Sequence, residues 1–191
     1  VHTYLRYGKI MYMTDQDLDG SHIKGLCINL FHSEWPSLTK IPGFISFMNT
    51  PILRAKKGAQ TLLFYNDGEY NTWKNNLGEN GSAGWNVKYF KGLGTSTSAE
   101  FKNYFANKKI VDFVYSGVNS DDMIDKIFNK KRADDRKQWL EGYNKDAYLD
   151  TSSPSVQYEQ FINNEMIHFS TYDCARSIPN MVDGLKISLR K

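Results

Sequence analysis

The chain has 191 residues, 24 lysines and arginines against 21 aspartates and glutamates, a formal net charge of +3, and two cysteines. That length suits one to two domains with a buried core, and so small a charge excess does not by itself argue for a polyanionic partner; where the charges sit matters more. Cys27 and Cys174 provide neither a disulfide framework nor a metal spacing, which fits a reducing compartment; no apolar run is long enough to span a membrane, and the N-terminus does not read as a signal peptide.

Residues 9–14 form a short apolar run, too short for a helix and suited to a buried parallel strand. Asp15, Asp17 and Asp19 follow on alternate positions. Three carboxylates within five residues repel one another, and hard oxygen ligands at that density favour Mg²⁺, with Mn²⁺ or Ca²⁺ as substitutes. Ser21 then reads as a helix N-cap. Ile23, Leu26, Cys27, Leu30 and Phe31 recur at helical spacing and predict the buried face of a helix, with Cys27 in the core. The carboxylates therefore lie where a strand hands over to a helix, the edge at which open α/β sheets build sites. The first six positions match a calcium EF-hand loop, but the twelfth is Leu26 instead of a bidentate glutamate, and a strand precedes the loop where an EF-hand has a helix.

Residues 44–73 read as strand-like, with a hairpin turn at 56–58. Residues 75–84 are rich in Gly, Asn and Ser and predict a mobile loop; residues 85–90 predict a strand. Lys91 lies in Lys-Gly-Leu-Gly-Thr, where Gly92 and Gly94 permit a tight loop and close backbone approach. No phosphate-binding P-loop pattern is present. Thr97 and Glu100 fit a capping box opening a helix to about residue 106. Residues 110–115 predict a strand, and 120–143 one bent helix or two. On that stretch Lys130, Lys131, Arg132, Arg136 and Lys137 are interrupted by Asp134 and Asp135. Arg132 and Arg136 share a face, and Trp139 and Leu140 turn toward the core. Such a helix reads either as a phosphate contact or as a surface with internal ion pairs. Ser152 to Pro154 break the pattern. Residues 156–169 are helical, with Ile162, Met166 and Phe169 as the buried stripe, and Pro179 and Asp183-Gly184 mark turns before a helical pattern begins at Leu185. His22 reads equally as a neighbour of a phosphate or a metal-bound water and as a helix-start histidine with a structural hydrogen bond. There are no repeats, and no Ser/His/Asp or Cys/His set can be assembled.

Four blocks carry a family resemblance. Asp15-Gln-Asp-Leu-Asp-Gly-Ser-His-Ile-Lys-Gly25 resembles the second acidic motif of a Toprim domain in eukaryotic-type DNA topoisomerase II. Tyr89 to Ser98 resembles its YKGLGTST block, Lys130 to Leu140 its KKxxDDRKxWL block, and Arg176 to Lys186 its RSIPxxxDGLK block. They occur in the family's order and run from end to end. Ile187-Ser-Leu189 departs from the Pro-Gly-Gln or Pro-Ser-Gln of many members.

The resemblance implies an α/β fold: the C-terminal part of a Toprim Rossmann-like domain with α+β extensions, ending at the start of a winged helix. Its expected segments are 1–46 (Toprim), 47–118 (α/β extension), 119–170 (helical linker) and 171–191 (start of the winged helix). It implies Asp15 and Asp17 as Mg²⁺ ligands, Asp15 shared between two metal positions, with Asp19 acting through water. It implies DNA contacts by Lys91, Arg136, Lys137, Lys186 and Arg190. None of the tyrosines here is expected to be catalytic: the nucleophilic tyrosine is expected beyond Lys191, and a further glutamate and the ATP-binding domain upstream of Val1. The implied partners are double-stranded DNA and a second subunit, with no membrane, in the nucleus, or in a viral factory or host cytoplasm for a large DNA virus. Another Toprim enzyme, such as a primase or nuclease, and a non-catalytic DNA-binding module are the alternatives.

Overall fold

The computed structural model of the chain describes residues 4–77, 83–90 and 92–189. Strand β1 (Ile10–Tyr12) lies parallel to β2 (Ile45–Met48), and helices α1 (Leu18–Glu34) and α2 (Pro36–Thr39) make the crossover between them. All four residues of β2 are buried, as expected of a central strand covered on both faces. β2 pairs antiparallel with β6 (Ile110–Val114), and β6 pairs parallel with β7 (Ser155–Gln157), giving a four-stranded sheet in the order β1-β2-β6-β7. Strands distant in sequence thus share one sheet.

The core of this layer joins Ile45, Phe47, Val111, Phe113 and Val156 from the strands to Ile28 of α1, Ile124 of α5 (Val118–Phe128), Tyr158 and Phe161 of α7 (Tyr158–Phe161), and Ile162 and Met166. Phe113 stacks on Tyr158 at 5.3 Å and meets Phe161 edge-on. From α7 the chain runs through a π-helical turn at Ile162–Met166 into α8 (Ile167–Ser177). The expected buried stripe of Ile162, Met166 and Phe169 is present. Val156, however, is in a strand instead of opening a helix, because it pairs with Phe113.

A second sheet, β4-β3-β5, is antiparallel throughout: β3 (Leu53–Lys57), β4 (Gln60–Phe64) and β5 (Asn86–Tyr89). Gly58 turns the β3–β4 hairpin with φ +58°, a positive φ at the first of two central residues as in type II′ turns. Ile52, Leu53, Ala55 and Phe64 form its small core against Tyr70, Trp73 and Trp85. Tyr70 and Trp73 belong to α3 (Asp67–Asn76), a helix where strand and loop are expected. The missed signal is Asn66, whose side chain accepts the Glu69 N–H and caps the helix. Of the loop expected at 75–84, residues 78–82 lie outside the described residues, and Asn75 and Asn76 end α3. α4 (Ser98–Ala106) carries the expected capping box, with both Thr97–Glu100 bonds present. Of the two readings of 120–143, two helices or one bent helix, the structure has two, α5 and α6 (Ala133–Glu141).

α1 is turned the other way from the expectation. Ile23, Leu26 and Leu30 are 49%, 46% and 51% exposed, while Ser21, Lys24, Gly25 and Ile28 are buried. The buried positions keep helical spacing, but they are mostly small or charged. Gly25 admits Met166 so closely that a Cβ would lie 2.7 Å from its sulfur. Lys24 is neutralised by Glu165 at 2.5 Å. Close approach and one buried ion pair set this face, which apolarity alone does not reveal. Cys27 is accordingly half-buried and Cys174 exposed.

Candidate functional site: the acidic loop and its cover

The acidic loop leaves the C-terminal end of β1 and runs straight into α1. The cap of α1 is Asp17, not Ser21: its carboxylate accepts the Gly20 N–H at 2.7 Å. Asp19 lies in the first helical turn, where the helix dipole favours negative charge. Gly20 closes the bend; a Cβ there would sit 1.9 Å from the Asp15 carbonyl oxygen, so no other residue fits without moving the loop.

The segment after β5 covers Asp15. Gly92 has φ +75°, and a Cβ on it would lie 2.7 Å from the Asp15 carboxylate. The next residue, Leu93, donates its backbone N–H to Asp15 at 2.6 Å. Behind this contact the chain is held twice. Thr95 donates its hydroxyl to the Gly92 carbonyl at 2.9 Å. Glu100 accepts from Thr97 N at 2.7 Å, Arg54 at 2.6 Å and Lys88 at 3.0 Å. Partial burial opposes ionisation of Glu100, but the Thr97 N–H, the Lys88 ammonium and the Thr97 hydroxyl outweigh it and pull its pKa down to about 2. Gly94 makes no such approach; nothing lies within 4 Å of a Cβ there.

The three aspartates therefore diverge. Asp15 faces Leu93, Asp17 faces Gly20, and Asp19 pairs with Arg176 at 3.4 Å. Among the described residues no three of His, Cys, Asp and Glu converge as a ready metal cluster. The triplet is tolerated because each carboxylate has its own donor, a solution that sequence spacing does not disclose. The donor set still suits Mg²⁺: Asp15 and Asp17 offer hard oxygens on a glycine-built loop, and this ion binds through one or two carboxylates and keeps several waters. Beside the loop a cavity of about 680 Å³ opens, lined among others by Gln16, Asp17, Ser21, Asn49, Glu165 and Tyr172.

The expected DNA contacts are placed unequally. Lys91 and Arg190 lie outside the described residues. So does Lys191, the position beyond which the nucleophilic tyrosine is expected, and no catalytic residue is assigned within the chain. Arg136 donates to the carbonyls of Lys126 and Asn129 at 3.2 and 2.5 Å, tying α6 back to α5. Lys137 is exposed and pairs with equally exposed Asp134; Lys186 is exposed. Arg132 bridges Asp122, Asp125 and Asp135, and its guanidinium is the main cause of the lowered Asp122 pKa. Trp139 packs on the core and donates its indole N–H to Asn163 at 2.9 Å. His22 is stacked on Phe169 at 4.0 Å. Sequence reasoning missed Lys24, Glu165 and the Asp19–Arg176 pair, since no local pattern links residues more than 140 positions apart.

The profile of the C-terminal associated domain of TOPRIM matches residues 48–174. The chain belongs to this family, in the form found in DNA topoisomerase II. It is 50% identical over 190 residues to DNA topoisomerase 2 of Plasmodium falciparum, covering 98% of this chain and 13% of that protein. It is likewise 50% identical to DNA topoisomerase 2 of Arabidopsis thaliana over 191 residues, again with 98% and 13% coverage. Among solved structures, the P. falciparum topoisomerase II DNA-binding, cleavage and re-ligation domain superimposes with a TM-score of 0.86 at 49% identity. That match covers 96% of this chain and 25% of the solved one. The α/β fold of the topoisomerase II Toprim region is thus the fold of this chain, which spans about an eighth of the length of the curated relatives.

Proposed function

We propose that this chain is the cation-binding and DNA-binding part of the DNA gate of an ATP-dependent type IIA topoisomerase. The observation that carries the reading is the acidic loop itself, with Asp15 covered by the Gly92–Leu93 backbone, in a chain half identical to DNA topoisomerase 2. Asp15 and Asp17 would hold Mg²⁺, and Asp19, which pairs with Arg176, would act through water. When bound, Mg²⁺ supplies positive charge against phosphate and leaving-group oxygens during phosphoryl transfer.

The chain's own residues do the rest by placement. Gly20 and Gly92 keep side chains out of the loop, and the Glu100 network fixes the segment from Gly92 to Thr97 that covers it. Lys137 and Lys186, with Lys91 and Arg190, would bind phosphates along the duplex; Arg136 serves chiefly to join α6 to α5. The nucleophilic tyrosine and the ATP site come from other parts of the enzyme, which acts as a nuclear homodimer, each subunit cutting one strand. Among the described residues no helix is long and apolar enough to cross a membrane.

The test is relaxation of supercoiled DNA by the full-length enzyme. Activity should require both ATP and Mg²⁺, and Asp17→Asn should slow it by about 10²-fold while leaving DNA affinity nearly unchanged. Relaxation by the Asp17→Asn enzyme at the native rate would refute the proposal.

A further inference from the structure

Lys24 is the least expected residue of the core. It stands on α1 with no exposed surface, one turn beyond the acidic loop, on the face that packs against the π-helical turn. Its ammonium lies 2.5 Å from Glu165 and 4.4 Å from the centre of the Phe47 ring. Glu165 also accepts the hydroxyl of Ser21 at 2.5 Å, and that hydroxyl lies 3.1 Å from the Asp17 carbonyl, so its single hydrogen is shared. A continuous chain of polar contacts thus runs from Lys24 through Glu165 and Ser21 to the backbone of Asp17.

The apolar contacts follow the same line. Gly25 receives Met166, and His22 stacks on Phe169. Successive residues of α1 are therefore locked against the π-helical turn and the start of α8. A buried ion pair gives little net stability compared with well-packed apolar residues, and its best-attested use is to fix register. π-Helical turns also occur often at functional sites. Here the turn places Glu165 opposite both Ser21 and Lys24.

We propose that Lys24, acting through Glu165 and Ser21, is a positioning residue that sets the acidic loop for cation binding. This rests on the reading of Asp15 and Asp17 as the cation ligands. Lys24 touches neither the cation nor DNA in this scheme; it fixes the first turns of α1, whose Asp17 cap closes the acidic loop on the Gly20 N–H. The sign of its effect is diagnostic. Acting only as a nearby positive charge, Lys24 would repel a cation, and its removal would tighten binding. Acting as a positioning residue, its removal loosens the loop and weakens binding by about tenfold, the lower end of what outer-shell partners of metal ligands cost.

The experiment is Mn²⁺ binding to the full-length enzyme, without ATP, followed by electron paramagnetic resonance. The proposal expects Lys24→Met to bind Mn²⁺ about tenfold more weakly, and the charge-neutral Ser21→Ala to weaken it in the same direction by a few-fold. Unchanged or tighter binding by Lys24→Met overturns it. If Lys24→Met does not fold, Ser21→Ala decides: weaker binding supports the proposal and native binding overturns it. The Asp15→Asn/Asp17→Asn double variant separates the two levels. Native-like Mn²⁺ binding by that variant overturns the cation reading and this proposal with it. Loss there, with native binding by Lys24→Met, overturns this proposal alone.

Discussion

The acidic loop and the α5–α6 helix pair both crowd charged side chains, and the fold treats them in opposite ways. Arg132 is surrounded by Asp122, Asp125 and Asp135, and Arg136 is committed to two main-chain carbonyls. These partners come from the same helix pair, so the cluster's charge is used to fasten one helix to the next. The acidic loop has few charged partners. Asp15 and Asp17 are met by the backbone N–H groups of Leu93 and Gly20, and Gly92 and Gly20 leave no room for a Cβ beside the loop. A cluster neutralised by its own neighbours is structural; one held by main-chain donors on a glycine-built loop keeps oxygen lone pairs available for a ligand.

The largest expected effect is at the glycines. Gly20→Ala should cost about 3 kcal/mol or more, because its Cβ would overlap the Asp15 carbonyl. Gly92→Ala should cost about 1–3 kcal/mol for a positive φ beside a carboxylate. Gly94→Ala should be close to neutral. Equal losses at Gly92 and Gly94 by chemical denaturation would break the comparison, since only Gly92 touches Asp15.

Next comes Glu100, the support behind the loop's cover. Glu100→Gln should cost about 1.5–3 kcal/mol, the range for hydrogen bonds to a charged group. Its folded pKa, about 2, lies below the ordinary 4.5. Its contribution is therefore complete above pH 4.5 and lost as the pH falls through about 2. The stability gap between native protein and Glu100→Gln should close over that window; a gap independent of pH down to 2 would contradict the assigned network.

Arg132→Ala should lower the unfolding midpoint, and high salt should narrow the difference because the ion pairs are partly exposed. It should leave DNA affinity of the full-length enzyme nearly unchanged. Lys137→Ala is the smallest perturbation: no detectable change in stability, and a shift of about 0.9 in the log–log salt slope of DNA binding. If Arg132→Ala moves the salt slope and Lys137→Ala does not, the structural and DNA-binding roles have been assigned the wrong way round.

The sequence made some of this legible and not the rest. The strand-loop-helix setting of the acidic loop, the Thr97–Glu100 capping box and the buried stripe of Ile162, Met166 and Phe169 each follow from local spacing, and each is present. The facing of α1 was not legible. Its apolar residues make the better periodic stripe, but the buried side is chosen by Gly25 admitting Met166 and by Lys24 finding Glu165. Helix α3 was missed because the aromatic residues Tyr70 and Trp73 suit a strand as well as a helix, and Asn66 alone marks the start. The separate partners of the three aspartates come from residues 93, 20 and 176, two of which only the tertiary fold brings near.

The most direct measurement is Mg²⁺-dependent DNA cleavage by the full-length enzyme with Asp15→Asn and Asp17→Asn together, run beside Arg132→Ala under identical salt. The account predicts a fall of about 10²–10³-fold in cleavage for the aspartate variant with DNA affinity retained, and near-native cleavage for Arg132→Ala. Native cleavage by the aspartate variant, or a comparable loss from Arg132→Ala in folded enzyme, would contradict it.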